Sequence, residues 1–406
     1  MEKFSVVREI KELKTHLSYS RNIGFFFGAG TSCALKIPNI AELTSGIETK
    51  LVAASKINFD LVKNDLALVT TPPATTPPPI KQVNIEEILN QLRRIRELTN
   101  DSTKEYIGVS GESAKKLDKE ICINIYNIIL EKEKVADLVN TKKFFAWLSI
   151  LNKDFSKEVF TTNYDLIIEK SLEASNIPYF DGFVGTYEPF FWQPSVDCIN
   201  LSKDDLTKNW IRLWKIHGSL NWFWKEDEIT KAQRIIRIGK INDIKDEVNE
   251  LVIYPSKEKY DSSRKQPFIA YFDRLKNYLL NGELLFIFTG YSFSDQHINE
   301  IIFNCLRQNN RLSILVFFYS DEEVEKLHDL TSSFMNLTVF GPKKAILNGN
   351  LGEWEFTKSE LSVTTEKFDH YWNETDNKLM LGDFNSLVNF LIINSGKKDA
   401  IETLAK

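Results

Sequence analysis

The sequence predicts an α/β chain built on a doubly wound parallel sheet, with a mostly helical insertion and a small C-terminal appendage. Three observations predict it. A strand-like apolar run that breaks into a polar turn and then a helical pattern recurs three times, beginning near Ile23, Glu158 and Glu283. The run Ile23–Phe27 is apolar throughout, which suits a strand covered on both faces. Between the first and second of these units, residues of about 45–150 carry helical rather than strand periodicity.

In chain order, Val7, Ile10, Leu13 and Leu17 recur at helical intervals and predict an amphipathic helix over Lys3–Ser20. Ile23–Phe27 follows as a strand and Gly28-Ala-Gly-Thr-Ser32 as the turn after it. A helix over Ile40–Ala54 leads to residues 71–79, where five prolines within nine residues deny both helix and sheet pairing and predict an extended loop. Ile85–Leu98, Leu117–Ile129 and Val135–Leu151 read as helices. The strand at Glu158–Phe160 runs into Thr161-Thr-Asn-Tyr-Asp165 and a helix over Leu166–Ala174. Trp210–Ile216 alternates as a strand and ends at His217-Gly-Ser219, ahead of the aromatic segment Leu220–Trp224. Leu251–Tyr254 is a short strand and Phe268–Leu280 a helix. Glu283–Thr289 is a strand ending in Gly290-Tyr-Ser-Phe-Ser-Asp295, with a helix over Gln296–Leu306 and a strand over Leu312–Phe318 beyond. Residues 1–340 then form the main domain and 341–406 an appendage that offers an oligomer contact, with extended segments at Asn348–Lys358 and Glu360–Lys367 and a closing helix at Phe384–Asn394.

Composition excludes several classes. At 406 residues with 43% hydrophobic content the chain can bury a large core. Its longest apolar runs fall far short of the ~20 residues of a bilayer span, and Met1–Lys14 lacks a signal-peptide core, so a cytoplasmic protein with no membrane association is expected. A net charge of −5 argues against a whole-chain nucleic-acid binder. The four cysteines are widely spaced, with no Cys-x-x-Cys pair, and suggest neither a zinc site nor a disulfide framework.

Polar turns at the carboxyl ends of parallel strands gather on one sheet edge, where ligands bind. Gly28 and Gly30 permit a close approach of a pyrophosphate to the backbone, and Thr31 and Ser32 supply hydroxyls as a helix begins. Only two glycines of the usual dinucleotide fingerprint are present, so a tight turn without a ligand fits them equally. Asn163 and Asp165 fit a helix cap as well as a site. His217 is suited to accept a proton near neutral pH, with a buried structural histidine as the plain alternative. His297, in the first turn of its helix, is a further candidate for the cleft. Tyr254, Trp222 and Trp224 fit core or cleft wall, and Lys257, Lys259, Arg264 and Lys265 a solvated basic loop.

With Gly28-Ala-Gly-Thr-Ser32, Thr162-Asn-Tyr-Asp165, His217-Gly218 and Gly290-Tyr-Ser292 in this order, the chain resembles the sirtuin-like family, in particular its bacterial branch that consumes NAD in antiphage defence. The resemblance spans about residues 20–320, interrupted by the helical insertion. It implies a Rossmann-like sheet that binds NAD as substrate, with no metal. Gly28, Ala29, Gly30, Thr31 and Ser32 would cradle the pyrophosphate, and Gly290, Tyr291 and Ser292 would border the adenosine ribose. Asn163 would orient water or substrate near the nicotinamide ribose. Thr162 and Asp165 would line the same site, Asp165 beside the carboxamide or bracing the turn, and His217 would be the general base. Departures matter too. The zinc module of the deacylating sirtuins is missing, Pro38-Asn-Ile40 stands where they carry Pro-Asp-Phe-Arg, and Thr-Thr precedes the asparagine instead of Thr-Gln. These favour hydrolysis of NAD to nicotinamide and ADP-ribose over protein deacylation or ADP-ribosyl transfer. A regulatory module that senses NAD or ADP-ribose is the other alternative. The resemblance also implies a homo-oligomer working beside a HerA-like DNA-translocating ATPase.

Overall fold

Strand periodicity decides the architecture, because each apolar run sends alternate side chains to opposite faces of one sheet. A computed structural model of the chain describes residues 2–68, 83–151, 156–197, 210–226, 233–239, 251–253, 266–361 and 367–406. The proline-rich stretch 71–79, Tyr254 and the basic residues Lys257, Lys259, Arg264 and Lys265 lie outside the described residues.

Ten strands form the main sheet, in the spatial order Glu2–Ser5, Asn350–Glu355, Lys344–Leu347, Leu337–Phe340, Leu312–Phe317, Leu284–Thr289, Ile23–Phe27, Lys157–Thr161, Ile211–Lys215, Tyr179–Phe180. From Leu337–Phe340 to Tyr179–Phe180 every neighbouring pair is parallel. The chain starts this parallel part at Ile23–Phe27 and builds outward to Lys157–Thr161 and Ile211–Lys215. It then crosses back to Leu284–Thr289 and builds the other way. This reversal is the switch point at which doubly wound sheets form their binding crevice.

The two faces carry separate cores. Phe25, Phe27, Val159, Leu213, Ile287 and Leu315 face one side, together with Phe144, Phe145 and Trp147 of the helix Val139–Ile150 and Leu387, Val388 and Leu391 of the helix Phe384–Asn394. Phe26, Phe160, Trp214, Phe286, Phe288 and Val316 face the other, under the helices Phe268–Leu280, Gln296–Gln308 and Asp321–Thr331. Fully burying one such aromatic or aliphatic side chain stabilises the fold by about 1.5–3 kcal/mol, so both helical layers are strongly anchored.

A third core belongs to the insertion. Ile40–Lys50, Ala53–Leu68, Ile85–Thr99 and Gly111–Glu133 pack about Ile47, Phe59, Ile88, Leu92, Leu117 and Ile121. Ile167 and Leu220 join this cluster from the sheet side, which seats the helices beside the carboxyl ends of the strands. A second sheet, which sequence periodicity did not predict, is antiparallel and ordered Leu251–Ile253, Gly218–Glu226, Gln233–Arg237, Phe190–Phe191, Phe183–Val184.

Two expectations change. Lys3–Ser5, read as the start of a helix, belongs to the strand Glu2–Ser5 paired in parallel with Asn350–Glu355, and the helix is Val6–Tyr19 with Ser5 as its cap. The partner lies some 350 residues away, so nothing local signals it. The C-terminal tail, read as an appendage, supplies two strands at the sheet's edge, beside the one from the chain start, and Phe384 packs its ring 5.4 Å from that of Phe27. The tail therefore shares the central core. Among the described residues no helix is long and apolar enough to cross a membrane.

Candidate functional site

Four parallel strands, Leu284–Thr289, Ile23–Phe27, Lys157–Thr161 and Ile211–Lys215, stand side by side, and each of the four polar motifs is the turn that leaves one of them. The turns are tied to one another in sequence around this edge. Gly28 N–H donates to Thr289 O at 3.0 Å and Gly30 N–H to Gly290 O at 2.9 Å. Thr162 N–H donates to Phe27 O at 3.2 Å, and Ile216 N–H to Thr161 O at 2.9 Å. His217 Nε2 then lies 3.0 Å from Asp295 Oδ2, on the loop that begins at Gly290. These contacts close a ring that runs through all four motifs.

The glycines are required by the meeting of two turns. A Cβ on Gly28 would stand 2.3 Å from Gly290 O, and one on Gly30 2.7 Å from Gly290 Cα. Gly290 itself has φ +66° and would press a Cβ to 2.4 Å from Thr31 N. Ala29 and Gly30 remain exposed at the rim, while Thr31 and Ser32 are buried.

Asn163 is the brace of this arrangement. Its Nδ2 lies 3.0 Å from Gly28 O, 3.0 Å from Thr31 Oγ1 and 2.9 Å from Ser32 Oγ, and its own N–H donates to Thr161 Oγ1 at 2.9 Å. Because Gly28 O can only accept, the nitrogen end of the amide faces it, and none of these contacts uses the carbonyl end. The hydroxyls are engaged as well. Thr31 donates to Gly28 O at 2.8 Å and Ser32 to Asp165 Oδ2 at 2.7 Å. The expectation that these hydroxyls serve as phosphate donors thus meets a structure in which their protons, and the N–H groups of Gly28, Gly30 and Thr31, are already paired internally.

Asp165 ties the Ser32 turn to the helix that follows it. Oδ2 takes the Ser32 hydroxyl and Oδ1 accepts from Ile167 N–H at 3.1 Å, at the start of the helix Ile167–Ala174. Thr162 is half-buried. Below lies a charged pair the sequence did not flag. Lys215 Nζ contacts Glu169 Oε1 at 2.8 Å, Asp165 O at 2.6 Å and Ser219 Oγ at 2.8 Å, with the lysine buried. Burial pushes the Glu169 carboxyl above its usual range, and the Lys215 ammonium opposes that shift.

His217 is partly open to the edge and Asp295 more enclosed. Tyr291 divides differently from the sequence expectation: its ring is buried among Phe26, Phe288 and Phe293, and burial raises its phenol pKa. Its OH donates to Asn299 Oδ1 at 3.3 Å. Ser292 is exposed and its Oγ lies 3.0 Å from Ser294 Oγ. His297 is half-buried, and its N–H donates to Asp295 Oδ1 at 3.1 Å. Trp222 is core, and Trp224 lines a cavity of about 550 Å³ with Phe190, Phe191, Arg234 and Gln266 on the second sheet. Asp295 is the site residue that sequence reading missed. Its position as an N-cap residue before a helical run was visible, but its pairing with His217 was not.

Among the described residues, no group of three or more His, Cys, Asp or Glu side chains is placed to hold a metal ion. No curated protein matches the chain. Solved structures that resemble it include a Sir2 homologue in complex with NAD, at 14% identity and TM-score 0.38, covering 76% of this chain and 81% of that one. A Sir2 homologue variant with ADP-ribose matches at 13% identity and TM-score 0.36, covering 76% and 84%. Another variant, with 2′-O-acetyl ADP-ribose, matches at 12% and 0.33, again over 76% and 84%. The stretch 157–336, which holds Asn163, His217, Gly290 and Asp295 but not the Gly28 turn, matches the family model of the SIR2-like domain.

Proposed function

We propose that the chain is an NAD+ glycohydrolase that cleaves the nicotinamide–ribose bond to give nicotinamide and ADP-ribose. The observation that carries this reading is the closed ring of turns, which gathers a glycine-lined rim, the Asn163 amide and the His217 imidazole on one edge at the switch point. The SIR2-like match over 157–336 supports it.

Breaking that bond passes through an oxocarbenium-like state, whose positive charge is favoured by oxygen poles and disfavoured by a nearby free cation. This edge is furnished accordingly. Asn163 presents its carbonyl oxygen, because its nitrogen end is held by Gly28, Thr31 and Ser32. Asp295 adds a carboxylate behind His217, while the buried ammonium of Lys215 is taken up by Glu169. His217 accepts the proton of a ribose hydroxyl or a water as the bond opens, a form of help worth about 10²–10⁴-fold. With the Gly28, Gly30 and Thr31 N–H groups and the Thr31 and Ser32 hydroxyls paired, the pyrophosphate is held at the exposed rim about Ala29 and not by those hydroxyls.

Depletion of NAD needs restraint, and we infer a homo-oligomer beside a HerA-like ATPase as the device that gates the edge in antiphage defence. Product analysis tests the chemistry. Nicotinamide and ADP-ribose formed in equal amounts without a peptide acceptor support hydrolysis. Strict dependence on an acylated peptide points to deacylation instead, and tight NAD binding without turnover points to sensing.

A further inference from the structure

Asp295 has two separate tasks. Its Oδ1 accepts from the N–H of His297 at 3.1 Å and caps the helix Gln296–Gln308. Its Oδ2 lies 3.0 Å from His217 Nε2, with the two side chains only 9% and 15% exposed. A cap uses one oxygen, and asparagine or serine caps as well as aspartate does. The second oxygen is the one that meets the ring. An ionised carboxylate only accepts hydrogen bonds, so the nitrogen facing it carries the proton, and in a neutral imidazole the lone pair then sits on Nδ1.

We propose that Asp295 is the positioning residue of His217: it fixes the Nε2–H tautomer and the ring's orientation, so that Nδ1 is the nitrogen that takes the proton, and it stabilises the imidazolium once that proton has arrived. The inference rests on the reading of His217 as the base. It also gives the segment Gly290–Asp295 a second purpose, because Gly290 locks the glycine turn while Asp295, five residues on, holds the histidine. One loop thereby sets the register between the two halves of the edge.

The test uses the full chain with 15N-labelled histidine, the His217 signals being assigned by their loss in His217→Ala. Asp295→Asn retains a capping oxygen, so its melting temperature should stay within about 2 °C of wild type. The His217 ring should leave the pure Nε2–H form in this variant, and kcat for nicotinamide release should fall by about 10²-fold, with KM for NAD within about threefold. An unchanged tautomer and an unchanged kcat beside an inactive His217→Ala would overturn the role of Asp295 alone. Wild-type turnover by His217→Ala would instead remove the base, and this proposal with it.

Discussion

The side-chain nitrogen of Asn163 lies 3.0 Å from the carbonyl oxygen of Gly28, joining turns that stand 135 residues apart in the chain. The contact locks the glycine turn, and under the proposed function the same amide also serves the chemistry. Asn163→Ala should lower the free energy of unfolding by about 1–3 kcal/mol, the usual cost of leaving buried polar partners unpaired. It should also reduce nicotinamide release by about 10²-fold or more. Asn163→Asp, which sets a second acceptor against Gly28 O, should be at least as damaging in urea unfolding.

The glycine contacts yield a paired comparison. Gly290 and Gly282 share the left-handed region, at φ +66° and +70°, but a Cβ on Gly282 meets nothing within 4 Å whereas one on Gly290 stands 2.4 Å from Thr31 N. Gly282→Ala should cost about 1–2 kcal/mol through backbone strain alone. Gly290→Ala adds an overpacking cost of about 1–3 kcal/mol. Equal midpoints for the two variants in chemical denaturation would contradict the turn-on-turn packing.

Beneath the site, Lys215 and Glu169 form a buried pair at 2.8 Å. Removing one partner of such a pair costs about 3–5 kcal/mol, because the other charge stays buried and alone. Lys215→Met and Glu169→Leu should each be strongly destabilising, and the double variant should recover much of the loss. Simple additivity in a double-mutant cycle would argue against coupling between them.

Lys157 sets a pH dependence. Its ammonium is buried, with Nζ 2.5 Å from Ser149 O, and burial lowers its pKa from 10.5 to about 8. The folded chain therefore sheds this proton near pH 8, while the unfolded chain holds it to about pH 10.5. Between those values the unfolded state binds more protons, so this group's contribution makes stability rise with pH, and below pH 8 its burial is a constant cost. Relative to Lys157→Met, the wild type should gain stability from pH 8 to pH 10, by thermal unfolding at matched ionic strength. A difference that stays flat over that range would show an ordinary lysine.

How much of this was legible in the sequence depended on the range of each interaction. Ile23–Phe27 and Leu284–Thr289 announced themselves as nearly continuous apolar runs, as strands covered on both faces do, whereas Lys157–Thr161, which buries Lys157 and Glu158, was legible only from its Val159–Phe160 centre and the polar turn after it. The helices Phe268–Leu280 and Gln296–Gln308 did so through their 3.6-residue period. Glu2–Ser5 did not, since its only justification is a strand 350 positions away. The tail misled for the same reason: Phe384 looks like part of a separate helix until Phe27 is seen beside it. The site shows the same split. Glycine, asparagine and histidine at strand ends pointed to the edge, but no spacing rule links His217 to Asp295, or Lys215 to Glu169. The engaged Thr31 and Ser32 hydroxyls likewise became visible only once Asn163 and Asp165 stood beside them.

The account turns on whether the edge that holds Asn163 and His217 performs chemistry on NAD. The direct measurement is the rate of nicotinamide release from NAD by the purified full chain, with wild type, Asn163→Ala and His217→Ala compared at equal folded concentration. The account predicts turnover by the wild type without any acylated peptide, and a loss of about 10²-fold or more in each variant. Release at the wild-type rate from His217→Ala, with the variant folded, would contradict it.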